Sequence, residues 1–210
     1  MGVLDQIIDC GVVAVLRADS SAELLDVAEA LRKGGVVAIE VTMTTPGALK
    51  VIEEAAAKMK DSIIGVGSVL DPETARAAIL AGAEYVVAPT LNLGVIEMAK
   101  RYGKVVMPGA FTPTEILTAW QAGADVVKVF PASVGGPAYF KDVKGPLPQV
   151  RLMPTGGVDL TTTGAFIKAG ACAVGAGGAM VDKKAVTAGK FDVITETARK
   201  FVEEVRKARA

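Results

Sequence analysis

A short apolar run followed by an amphipathic stretch recurs eight times along the chain, and this repeat restricts the fold more than any other feature. The runs are residues 12–17 (VVAVLR), 36–42 (VVAIEVT), 62–68 (SIIGVGS), 85–90 (YVVAPT), 105–110 (VVMPGA), 126–131 (VVKVFP), 152–156 (LMPTG) and 172–177 (CAVGAG), after a short amphipathic start. Their length and β-branched content read as buried strands. Helix signals fill the intervals. Ser20 caps a helix running to about Lys33 and ending at Gly34-Gly35, a second runs from about Pro46 to Met59, and Asp71-Pro72 opens a third. The pairs Gly35-Val36, Gly82-Ala83, Gly123-Ala124 and Gly170-Ala171 read as glycines that end helices just before the next strand. Eight such units in 210 residues predict one domain over residues 1–210, a (β/α)8 TIM barrel with a short N-terminal helix. An open doubly wound sheet would carry a glycine-rich fingerprint at its first βα turn, where this chain reads Arg17-Ala18-Asp19-Ser20.

A barrel gathers its functional groups where strands end. Those positions hold Arg17, Glu40 with Thr42, Ser68, Pro89 with Thr90, Lys128 with Phe130, and Thr155 with Gly156-Gly157. Lys128 is the anomaly, since an amine inside an apolar strand costs several kcal/mol, as a rough figure, unless a partner or a pKa shift compensates. It either reaches water or a structural ion-pair partner, or it is a desolvated amine able to attack a ketone and form a Schiff base. Side chains on a strand alternate, so Glu40 shares a face with Ala38 and Thr42, and Lys128 with Val126 and Phe130. Both are candidates for the lumen, as a structural pair or as the acid and amine that imine chemistry requires. Two glycine clusters follow, Gly156-Gly157 after the seventh run and Gly177-Gly178 after the eighth, where backbone N–H groups can approach a phosphate. The plainer reading is that they make tight turns.

Composition narrows the chemistry. With no histidine, imidazole catalysis and His-based zinc sites are excluded, leaving carboxylates and amines for proton work; no metal and no cofactor are expected. Lys plus Arg and Asp plus Glu both total 23, so no electrostatic argument favours nucleic acid or an anionic membrane as partner. No apolar run reaches the roughly 20 residues of a membrane span, and the start, with Asp5 and Asp9, is unlike a signal peptide. A cytoplasmic setting is expected, with Cys10 and Cys172 reduced and structural.

With these residues in view, the chain resembles the class I 2-keto-3-deoxy-6-phosphogluconate (KDPG) aldolases, a family that includes 4-hydroxy-2-oxoglutarate (KHG) aldolases. The resemblance rests on VVAVLRA (12–18), IEVTMTTP (39–46), IIGVGSVLDP (63–72), MPGAFTPTE (107–115), VVKVFPA (126–132), PTGGV (154–158) and AVGAGGAM (173–180). It implies a homotrimeric barrel in which Lys128 forms the Schiff base with pyruvate and Glu40 moves protons. Arg17 and Ser68 match residues that face the substrate, and Pro89 and Phe130 match residues packed around the pyruvyl group. Thr155 joins this substrate-binding set at the end of the seventh run. The implied reaction is reversible cleavage of KDPG to pyruvate and glyceraldehyde 3-phosphate, with KHG or the galactonate epimer of KDPG as alternative substrates. A phosphate-binding isomerase or epimerase and a catalytically silent oligomeric scaffold are the readings from other classes. One departure stands out: Thr44 occupies a position where many members carry a carboxylate-binding arginine.

Overall fold

The computed structural model describes residues 1–17 and 21–210. Helix α1 (Val3–Cys10) leads into β1 (Val12–Leu16), and helices and strands then alternate: α2 (Ser21–Lys33), β2 (Ala38–Thr42), α3 (Ala48–Lys58), β3 (Ile63–Gly67), α4 (Pro72–Leu80), β4 (Tyr85–Val87), α5 (Leu93–Arg101) and β5 (Val105–Met107). The second half holds β6 (Gly109–Ala110), α6 (Pro113–Gln121), β7 (Val127–Val129), α7 (Gly136–Lys144), β8 (Leu152–Pro154), α8 (Leu160–Lys168), β9 (Val174–Ala176), α9 (Lys183–Thr187) and α10 (Phe191–Arg209). Six strands form a parallel sheet in the order β5-β4-β3-β2-β1-β9, curved into a half-barrel, and β6-β7-β8 form a second sheet. Isolated parallel bridges, Leu152 to Ala171 and Thr155 to Gly175, link the β8 segment to the β9 segment.

The joints follow the chemistry expected of them. At the end of α2, Gly34 N–H donates to Ala30 O and Val36 N–H donates back to Leu31 O, with Gly35 at φ 94° in the left-handed region that glycine tolerates. Gly82, Gly123 and Gly170 repeat that conformation. Asp71 caps α4 by accepting from Thr74 N at 2.6 Å, with Pro72 in the first turn. The expected cap at Ser20 lies outside the described residues.

The fifth run departs from expectation: it is two segments rather than one strand. Pro108 interrupts it, because proline has no N–H for the ladder. Pro108 O still accepts from Lys128 N at 2.9 Å, while Gly109 N–H donates to Thr90 O at 3.3 Å. The chain thus leaves its pairing with β4 and takes up pairing with β7.

Alternation along the strands sorts the interior into two clusters. Val12, Ala14, Leu16, Ile39, Val41, Val127 and Val129 pack outward against the helices. Val13, Ala38, Ile63, Tyr85, Val87, Met107, Val126, Met153 and Ala173 pack inward on one another, together with Ile7 of α1. The amphipathic start is therefore a plug, with α1 closing the end of the half-barrel at which the strands begin. Among the described residues, no helix is long and apolar enough to cross a membrane.

Candidate active site

Glu40 sits in the middle of β2 on the inward face, 1% exposed. The register Glu40 to Gly65 places β3 beside it, and the missing side chain at Gly67 provides its space: a methyl there would lie 1.8 Å from Glu40 Oε1. Gly65 in the middle of an apolar strand and Gly67 at its end thus mark close approach by neighbouring side chains. The sequence carries this signal in GVG at 65–67. Glu40 Oε2 is buried and has no hydrogen-bond partner among the described residues. Burial pushes the Glu40 carboxyl above the usual carboxylate range, and the positive charges of Lys128 and Arg17 oppose that rise.

Lys128, the central residue of β7, is 5% exposed. Its Nζ lies 5.2 Å from the centroid of the Phe130 ring, within cation–π range. Phe130 is 39% exposed, a large aromatic surface left uncovered beside a buried amine. Among the described residues no ion pair within 4.0 Å includes Glu40 or Lys128, so the structural ion pair allowed by the sequence is not formed.

Both groups instead line a cavity of about 560 Å³, as do Arg17, Ser68, Pro89, Phe130 and Thr155. Ser68 takes a left-handed backbone, φ 59°, rare for a residue with a side chain and concentrated in proteins at functional sites. Thr155 Oγ1 is buried without a partner and fills the space over Gly175, where a methyl would approach it to 2.5 Å. Thr44 lies outside the lining, and its hydroxyl is engaged with that of Thr42 at 2.9 Å. Arg17 and Ser68, the other residues expected to face a carboxylate, do line the cavity. Thr90 is also outside the lining.

Gly156, Gly157, Gly177 and Gly178 complete the wall, and the two clusters differ in whether the backbone requires glycine. Gly156 and Gly157 have φ of 86° and 76°, and a methyl at Gly157 would lie 2.5 Å from Ser133 Cβ, so the turn itself requires them. Gly178 has an ordinary backbone, and nothing lies within 4 Å of a methyl built there. Packing among the described residues does not require glycine at Gly178; the open space beside it belongs to the cavity.

The lining also includes three charged residues that the sequence alone does not mark as site residues: Glu23, Asp159 and Lys183. Asp159 is the cap of α8, accepting from Thr161 and Thr162 N–H at 2.9 Å, a signal readable in the D-x-x-T pattern after Gly157-Val158. Lys183 begins the short α9, and no local pattern distinguishes it from the lysine that follows.

A family model described as KDPG and KHG aldolase matches residues 3–197. The 2-dehydro-3-deoxy-phosphogluconate aldolase of Pseudomonas aeruginosa is 34% identical over 193 residues, 91% of this chain and 88% of that one. A solved structure described as native KDPGal superposes with a TM-score of 0.87 at 31% identity, covering 94% of this chain and 95% of that one. The KDPG aldolase of Legionella pneumophila, solved with pyruvate captured as a covalent carbinolamine, gives 0.83 at 27% identity, covering 92% of this chain and 96% of that one. With the match running from residue 3 to residue 197, the chain belongs to the KDPG and KHG aldolase family.

Proposed function

We propose that the protein is a class I aldolase, a carbon–carbon lyase that reversibly cleaves 2-keto-3-deoxy-6-phosphogluconate to pyruvate and glyceraldehyde 3-phosphate. The observation that carries this reading is the opening of a buried amine and a buried carboxyl, unpaired with each other, into one cavity beside two glycine clusters. Lys128 Nζ attacks the C2 ketone, and Glu40 returns a proton to the carbinolamine oxygen so that water leaves and an iminium forms. The Glu40 carboxylate then takes the C4 hydroxyl proton. The C3–C4 bond breaks, its electron pair passing into the iminium, so that the aldehyde leaves and an enamine remains on Lys128. Protonation at C3 and addition of water to the iminium free pyruvate and the amine. A carboxyl whose pKa is raised by burial suits both proton transfers near neutral pH.

Arg17, Ser68 and Thr155 are the groups for the substrate carboxylate and hydroxyls, with Pro89 and Phe130 packed about the pyruvyl unit. Backbone N–H groups at Gly156, Gly157, Gly177 and Gly178 would hold the phosphate, with Lys183 as the cation on the same wall. Binding there, remote from the breaking bond, positions it. The same proposal takes residues 1–210 as one domain whose sheets close into a (β/α)8 barrel, supported by the bridges from β8 to β9 and by the continuity of β5 with β6 across Pro108. A homotrimer rests on the family resemblance, and sedimentation would report the assembly; a cytoplasmic setting is part of the same proposal.

Borohydride reduction in the presence of pyruvate tests the reading: mass spectrometry should find a pyruvate-derived adduct on Lys128. An unmodified protein would favour an isomerase that uses Lys128 and Glu40 only as acid and base, or a silent scaffold. Kinetics on the two C4 epimers and on 4-hydroxy-2-oxoglutarate then choose among the aldolase substrates. The galactonate epimer is the second candidate, since the native KDPGal structure superposes at a TM-score of 0.87.

A further inference from the structure

Tyr85 is the largest polar group of the inward cluster, and the chemistry above leaves it without a role. It opens β4, is fully buried, and its hydroxyl has no hydrogen-bond partner among the described residues. A buried tyrosine usually finds a partner for its hydroxyl, and one left alone costs stability that a phenylalanine of the same shape would not. Strand register shows where this hydroxyl is directed. Glu40, Gly65 and Tyr85 are consecutive partners across β2, β3 and β4, so all three face inward at one level. The Tyr85 ring lies flat across β3: a methyl at Gly65 would meet its Cζ at 2.3 Å and its two Cε atoms at 2.4 Å. Because Cζ is already over β3, the hydroxyl extends toward β2, the strand that carries Glu40. Glu40 Oε2 is likewise buried and unpartnered. Two neighbouring glycines of β3 thus make room for one side chain each, Gly65 for the tyrosine ring and Gly67 for the carboxyl.

From this arrangement we infer that Tyr85 is a positioning residue for Glu40, its hydroxyl donating to the inner carboxylate oxygen through one shared water, so that the outer oxygen stays directed at the substrate. The inference rests on the acid–base role proposed for Glu40. A water held by two buried polar groups meets the ordinary requirement for internal hydration. The hydrogen bond favours the charged carboxylate and opposes the effect of burial. The other charged or titratable groups acting on this pair are Lys128 and Arg17 around Glu40, and Cys10 of α1 beside Tyr85; β3 contributes only glycines at these positions.

Tyr85→Phe keeps the ring and removes the hydroxyl. The acid limb of kcat should move to higher pH by about half a unit or more, giving about a threefold or larger loss of kcat on that limb, with KM for the keto acid unchanged. The infrared carboxyl band assigned to Glu40, by difference against Glu40→Gln, should also shift between wild type and Tyr85→Phe. The band can be followed without turnover. A variant whose pH profile and carboxyl band both superpose on the wild type's, even with altered thermal stability, would reduce Tyr85 to a packing residue and overturn the inference. Wild-type turnover by Glu40→Gln would instead remove the proposed role of Glu40 itself, so the two failures are distinguishable.

Discussion

Lys128 and Glu40 are each costly where they lie, and their cost carries the functional argument. An amine that is 5% exposed and a carboxyl that is 1% exposed, with no ion pair joining them, lack the compensation a structural network would supply. Lys128→Ala should abolish pyruvate trapping and turnover together, while circular dichroism reports an intact fold. Glu40→Gln should slow both imine formation and cleavage by about 10² to 10⁴, the usual scale of general acid–base catalysis. It should also change how stability depends on pH. Because the folded protein holds the Glu40 proton above the ordinary value of about 4.3, the unfolded chain loses that proton first as pH rises. The contribution of this group to stability is complete below that value and is lost as pH rises through the raised folded pKa. Melting curves of wild type should therefore show a decline over that window which Glu40→Gln lacks.

At the scale of the element, β3 shows how a strand serves a site while contributing no reacting group. Gly67→Ala would place a methyl 1.8 Å from Glu40 Oε1. Glu40 must then swing away, so kcat should fall about as far as in Glu40→Gln, with a stability loss of about 1 to 3 kcal/mol typical of overpacking. Wild-type activity in Gly67→Ala would show that the carboxyl does not need this seat. The eight runs, their helix-ending glycines and the inward face shared by Ala38 and Glu40 were all legible, because strand alternation and left-handed caps are local rules. The division at Pro108 and the ring of Tyr85 over Gly65 were not, since both depend on which strands are neighbours. Lys183 was hidden for the same reason: a lysine in a short helix looks like any surface lysine until the fold brings α9 to the cavity.

Across the whole molecule, the proposed chemistry and the proposed phosphate recognition fall on different segments: the amine and carboxyl stand on β7 and β2, and the glycine clusters follow β8 and β9. Gly178→Val fills space that packing among the described residues leaves open. It should raise KM for the phosphorylated substrate at least tenfold and leave trapping by free pyruvate nearly unchanged; equal effects on both would argue against phosphate at that wall. The plug formed by α1, with Ile7 1% exposed among the inward residues, has a consequence for the order of events. In the proposed mechanism the three-carbon fragment stays bonded to Lys128 while the aldehyde fragment departs, and with the plug at the strands' starting end the way out lies on the side of the exposed Phe130. Product-inhibition patterns should accordingly report the aldehyde as first out and pyruvate as last.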